Sequence, residues 1–181
     1  MNTYISLLRG INVSGQKQIR MVQLKSLYES LGFVNVKTYV QSGNVVFDST
    51  RQDASKLAAS IEAQIEQSFG YAASVFIRDT NDLQRIIGSN PFLSERKKDP
   101  AKLHVTFLYR SPSKSKLSNL DIPNDEADEF FVGDKEIFLF CPNGYGRTKL
   151  SNNFFERKLN MPATTRNWKT VNALYEMASE R

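Results

Sequence analysis

One order of hydrophobic periodicities, strand then helix then hairpin then helix, occurs twice along this chain, and that repetition limits the folds open to it. In the first half, Thr3 to Leu8 is apolar and β-prone, and Leu24, Leu27, Tyr28 and Leu31 recur at helical spacing before Gly32. "VKTYVQSGNVVFD" is two β-rich runs broken at Ser42-Gly43, a hairpin signal because glycine accepts positive φ without steric cost. Leu57, Ala58, Ile61, Ile65 and Phe69 then share one helical face over Ala54 to Phe69, and Gly70 ends it. Ser74 to Ile77 is the next strand, and Thr80 is placed to cap a short helix carrying Leu83, Ile86 and Ile87. The order β-α-β-β-α-β is the split βαβ unit of ferredoxin-like folds.

"SNPFLSERKKDPA" is polar, holds two prolines and reads as a linker. After it "LHVTFLY" is a strand, Pro112 to Leu120 a weak helix, and "EFFVGDKEIFLF" a hairpin turning at Gly133 to Lys135. Phe154, Phe155 and Leu159 mark one further helix; Trp168, Val171, Leu174, Tyr175 and Ala178 mark the last. The expected fold class is α+β, with two ferredoxin-like units built on antiparallel sheets and the second incomplete or variant. Residues 1–88 form the first unit, 89–101 the linker, and 102–181 a second unit with basic C-terminal helices. No residue-by-residue repeat accompanies the repeated order, so duplication is a reading of topology only.

Charge and rare residues narrow the function. The chain of 181 residues has a net charge of +5. Arg147, Lys149, Arg157, Lys158, Arg166 and Lys169 face only Glu156 between Asn143 and Lys169, so this segment holds the whole excess. Asp121 to Glu136 is strongly acidic and reads as a solvated edge. Cys141 and His104 are each the only one of their kind, which removes an intramolecular disulfide, a cysteine zinc cluster and the common metal sites. No apolar run reaches the roughly 18 residues of a membrane helix, and Met1 to Arg9 lacks a signal-peptide pattern. A cytoplasmic protein with no membrane association and no cofactor is expected.

The loop "RGINVSGQKQ" has the glycine spacing of a phosphate loop, but Gln16 stands in the lysine place and Gln18 in the hydroxyl place. A helix starting near Met21 is also too far on to present its dipole to that loop. "NGYGRTKLSNNFFERKL" carries more chemistry: Gly144 and Gly146 allow close approach, Arg147 and Lys149 supply cations, and Tyr145 can stack on a base. Its plainer reading is a turn leading to a helix capped by Ser151 or Asn153, with Glu156 completing a capping box. In "TTRNW", Thr165 or Asn167 caps the last helix, leaving Arg166 to an ion pair with Glu156 or to an anionic ligand. His104, on a strand face with Thr106, and Cys141, a small hydrophobe, read as structural. Asp125, Glu126, Asp128 and Glu129 are weak evidence for Mg²⁺. "NVVFDS" does not resemble the aromatic consensus of RNA-recognition modules.

Taken in order, "LLRGINVSG", "YVQSGNVVF", "NPF", "HVTFLY", "PNGYGRTKL", "ERKL" and "ATTRNWKTV" resemble the bacterial family catalogued as domain of unknown function 1697. The resemblance runs from Leu7 to Leu174, with Ser14 where glycine is common and Thr148 where serine is common. It implies an α+β protein built from ferredoxin-like elements and leaves the activity open. It also implies that the loops holding Arg9 and Asn12, Gln41, Ser42 and Asn44, Arg147, and Arg166 and Asn167 typify the family. Two functions follow as expectations. The first is binding of a phosphate-bearing ligand, nucleic acid or nucleotide, through Arg147, Lys149, Arg157, Lys158 and Arg166, with Arg9 and Asn12 forming one wall of the site. The second is a small-molecule enzyme or metabolite-binding protein for an anionic substrate in a cleft between the units, using Gln41, Ser42, Asn44 and Asn167. No nucleophile–base pair is legible for it. An interaction module using the acidic segment is a third.

Overall fold

The computed structural model describes residues 1–51, 53–118, 120 and 127–180. Its first half runs β1 (Asn2–Leu8), α1 (Met21–Ser30), β2 (Val34–Tyr39), β3 (Asn44–Ser49), α2 (Ala54–Phe69), β4 (Val75–Asp79) and α3 (Thr80–Gly88). The second half runs α4 (Pro91–Ser94), β5 (Leu103–Leu108), α5 (Lys114–Ser118), β6 (Glu129–Val132), β7 (Glu136–Phe140), α6 (Asn152–Leu159), β8 (Ala163–Asn167) and α7 (Trp168–Ser179). The strands form two antiparallel sheets, ordered β2-β3-β1-β4 and β6-β7-β5-β8. Each order is that of a ferredoxin-like unit. The second has all four strands, and its variant part is α5, reduced to five residues.

The compact units are 1–84 with 173–181, and 85–172. Two helices therefore divide between them: α3, and α7, whose residues from Ala173 on group with the first unit. The span expected as a linker contains α4, capped by Asn90 accepting from Phe92 N, and a 3-10 turn over Pro100–Lys102. Proline at the first helical position gives up a donor that would have no partner there, which is why both prolines start helices.

In the first unit, one sheet face presents Tyr4, Leu8, Val45, Phe47, Val75 and Ile77 to Leu24, Leu27 and Tyr28 of α1 and to Leu57, Ala58, Ile61 and Ile65 of α2. Asp53 caps α2 by accepting from Ser55 N and Lys56 N, and Gly70 ends it at φ 77°. For α3 the N-terminal cap is Asp79, which accepts from Asp82 N at 2.8 Å, in place of Thr80. In the second unit the corresponding core joins Leu108, Ile137, Leu139 and Ala163 to Phe154, Phe155 and Leu159 of α6. Among the described residues no helix is long and apolar enough to cross a membrane.

Candidate functional site

The loops that the resemblance singles out in the first unit are held by their own polar residues. Asn12 adopts φ 54°, accepts from Ile19 N at 2.8 Å, and donates to Ile19 O at 2.9 Å and Gln41 O at 2.7 Å. One side chain thereby closes the loop after β1 and ties it to the hairpin turn. Lys17 donates to Ala72 O at 2.8 Å and lies over the Tyr71 ring, and α1 begins only at Met21, so this loop is no phosphate cradle. Asn44, fully buried, donates to Tyr39 O at 3.0 Å and Ser42 Oγ at 2.9 Å across the turn. Gly43, at φ 74°, accepts from Leu8 N at its carbonyl oxygen; a Cβ there would lie 2.7 Å from Ile11 and 2.8 Å from Leu8. Arg9, half-buried, donates its backbone N–H to Ser74 O. Asn12, Ser42 and Asn44 thus have structural work, and Gln41 is exposed at the turn.

The second unit brings polar side chains together on the sheet face that carries α6. His104 pairs with Asn167 and Thr106 with Thr165 across β5 and β8, so these four side chains share one face. Thr165 is the hub: its hydroxyl donates to Asn152 Oδ1 at 2.6 Å and accepts from Tyr145 Oη at 3.1 Å and Thr106 Oγ1 at 2.7 Å. One donor and two acceptors is the full capacity of a hydroxyl. Tyr145, in a 3-10 turn over Tyr145–Arg147, stacks on His104 with centroids 5.0 Å apart and planes at 26°. Burial holds the imidazole below its ordinary value of 6.5, opposed in part by the Lys102 carbonyl. His104 Nδ1 is buried and has no hydrogen-bond partner among the described residues.

This network fixes the turn that carries Arg147 and Lys149, both exposed, and the first turn of α6. Ser151 caps α6 by accepting from Phe154 N. With Ser151 as the cap, the third helical residue is Phe154 and not Glu156, whose Oε1 accepts from Ala163 N at 3.0 Å. Arg157 is exposed on α6, and Lys158 is half-buried beside it. Among the described residues no ion pair holds Arg147, Lys149 or Arg157.

Arg166 stands apart from these cations. It lies on β8 opposite Val105, on the other sheet face from Thr165, is 8% exposed, and donates to Thr164 Oγ1 at 2.8 Å and Thr165 O at 2.9 Å. Its position is in a strand, two residues before the first residue of α7, so the macrodipole argument does not apply to it. Asn167 caps α7 by accepting from Thr170 N at 2.8 Å, which the sequence allowed. The hydroxyl hub has only one sequence signal, threonines that face each other on paired strands.

The acidic cluster resolves into contacts within the fold. Asp128 accepts from Thr148 Oγ1 at 2.5 Å, and Glu129 pairs with Arg96 and Lys98; Asp125 and Glu126 lie outside the described residues. Burial, helped by the Asp128 charge, pushes the Cys141 thiol up to about 11, so at neutral pH it is a hydrophobe and not a nucleophile.

Fold and sequence comparisons agree with this architecture. The conserved bacterial protein SP0830 from Streptococcus pneumoniae has a similar structure, with a TM-score of 0.74 over 98% of each chain at 23% identity. At that identity the likeness is one of fold alone. No curated protein matches the chain. A family model described as a protein of unknown function, DUF1697, matches residues 1–138, which leaves the Tyr145 turn, α6 and β8 beyond the matched span. Because the match covers every strand of the first unit and reaches β7 of the second, the chain belongs to the DUF1697 family.

Proposed function

We propose that this protein binds a phosphate-bearing ligand, nucleic acid or a nucleotide, through the cations of its second unit. The observation that carries the reading is the state of Arg147, Lys149 and Arg157: all are exposed, and none is held by an ion pair among the described residues. Exposed cations on a flexible loop would lose entropy on binding. Here Tyr145, bonded to Thr165 and stacked on His104, fixes the turn in advance. Arg147 supplies a planar fork for a phosphate and Lys149 a point charge. Arg166 and Asn167 enter as supports, the first through its bonds along β8 and the second as the α7 cap.

Fluorescence anisotropy with labelled single-stranded RNA or DNA tests the reading. With three or four phosphate contacts, affinity falls about 20- to 50-fold between 50 and 200 mM salt, and the variant R147A/K149A/R157A loses most of it. No binding of mixed RNA or DNA oligomers, and none of nucleotides, at 50 mM salt would overturn it.

A further inference from the structure

We propose that a cavity at the C-terminal end of α6 receives the terminal phosphate of a single-stranded oligonucleotide lying along that helix. This rests on the binding reading above and specifies its ligand. The cavity, of about 220 Å³, is lined by Arg110, Ser111, Ser113, Lys116, Asn160 and Met161, among others. That volume is below the ~300–1,000 Å³ of sites that enclose drug-sized molecules, so it suits a small group and not a whole nucleoside.

The lining supplies the right charge. Arg110 and Lys116 are both exposed. Arg110 gives one long bond, 3.4 Å, from Nη2 to Asn160 O, and the guanidinium keeps its other donors. Ser113 shares a hydroxyl contact with Ser115, whereas Ser111 gives its proton to Asp134 at 2.6 Å and offers none inward. The wall is firm: Leu159 and Met161 are buried in the core, and Asn160 ends α6 in the left-handed region. The C-terminal carbonyls of a helix disfavour an anion, so a phosphate here depends on Arg110 and Lys116. A terminal phosphomonoester, with up to two charges, uses two cations where a diester uses one.

Position along α6 supplies the rest. Arg147 and Lys149 precede the Ser151 cap at one end; Arg157 and Lys158 fill the last turn, immediately before the cavity wall. Eight residues of helix span roughly 12 Å, the length of about three or four phosphates of a stacked strand. A mononucleotide cannot reach both ends.

The experiment compares oligomers of about ten nucleotides, within the usual single-strand site size, carrying a 5′-phosphate, a 3′-phosphate or only hydroxyl ends. The wild-type protein should bind one phosphorylated form about tenfold tighter than the hydroxyl form. R110A/K116A should erase that preference and leave the affinity for the hydroxyl form unchanged, while Asp134→Asn should enlarge it. Equal affinities for all three, or a preference that survives R110A/K116A, overturns the cavity assignment. If binding in that case still falls in R147A/K149A, the basic-surface reading stands. Failure of every oligomer to bind at 50 mM salt overturns the cavity assignment, and failure of nucleotides as well overturns the binding reading.

Discussion

The two units share a plan to the level of single positions and differ in what they place there. Tyr4, Ser6 and Leu8 on β1 correspond to His104, Thr106 and Leu108 on β5, each the central strand neighbouring the last strand of its sheet. Opposite them stand Asp79, Ile77 and Val75 in one unit and Asn167, Thr165 and Ala163 in the other. Arg78 and Arg166 follow in the same register, both buried, and each donates from Nη1 to the carbonyl of the preceding residue. Asp79 and Asn167 then cap the next helix through the same contact, three residues on.

Where the first unit has Tyr4 against Phe47, and Phe47 against Tyr28 and Phe33, the second has the His104–Tyr145 stack and the Thr165 hub. At the matched positions the first unit packs Tyr4 onto Phe47 and bonds Ser6 to the Tyr28 hydroxyl, whereas the second stacks His104 on Tyr145 and bonds Thr106 to Thr165. Ring packing therefore holds the first unit at these positions, and side-chain hydrogen bonds hold the second.

The strongest way to break this contrast is Phe47→Ala, which removes a fully buried ring with three aromatic partners and should cost about 3–5 kcal/mol in urea unfolding. If Thr165→Val costs as much, the contrast is wrong. Gly43→Ala comes next, at about 2–4 kcal/mol, because a methyl meets Leu8 and Ile11 at a left-handed φ. Gly146→Ala in the second unit's turn, with nothing within 4 Å, should stay within about 0.5 kcal/mol. Thr165→Val, nearly isosteric, strands Tyr145 Oη and Asn152 Oδ1 and should cost about 1–3 kcal/mol.

The smallest effect is acid sensitivity. Burial holds the His104 imidazole below its ordinary value, while the unfolded chain takes up a proton near 6.5; stability should fall as pH drops below that value. Denaturation between pH 7 and 5.5 measures the slope, and H104F should flatten it. Hydrogen exchange should register the loss in the second unit first, since the first contains no histidine.

Periodicity and punctuation made the element order readable: Leu57, Ile61 and Ile65 marked α2, Gly70 its end, and Ser42-Gly43 the hairpin. The internal repeat stayed hidden because the matching positions exchange chemistry, tyrosine for histidine and isoleucine for threonine, and loops of unequal length shift the offset between strands. The candidate site was half legible. Exposed Arg147, Lys149 and Arg157 announced themselves by charge, but the alternation that sends Arg166 to the opposite face of β8 required knowing that "TTRN" is a strand. Glu156 is similar: the backbone N–H it accepts from, Ala163 N, lies beyond the helix that the capping pattern describes.

The division of α7 bears on how the protein is made. The first unit contains residues 1–84 and also 173–181, and a surface recess lined by Met1 to Tyr4 includes Ala178 and Ser179 as well. Synthesis adds that last piece only after every residue of the second unit has been joined to the chain. The unit whose chain begins first is consequently the one whose chain is completed last.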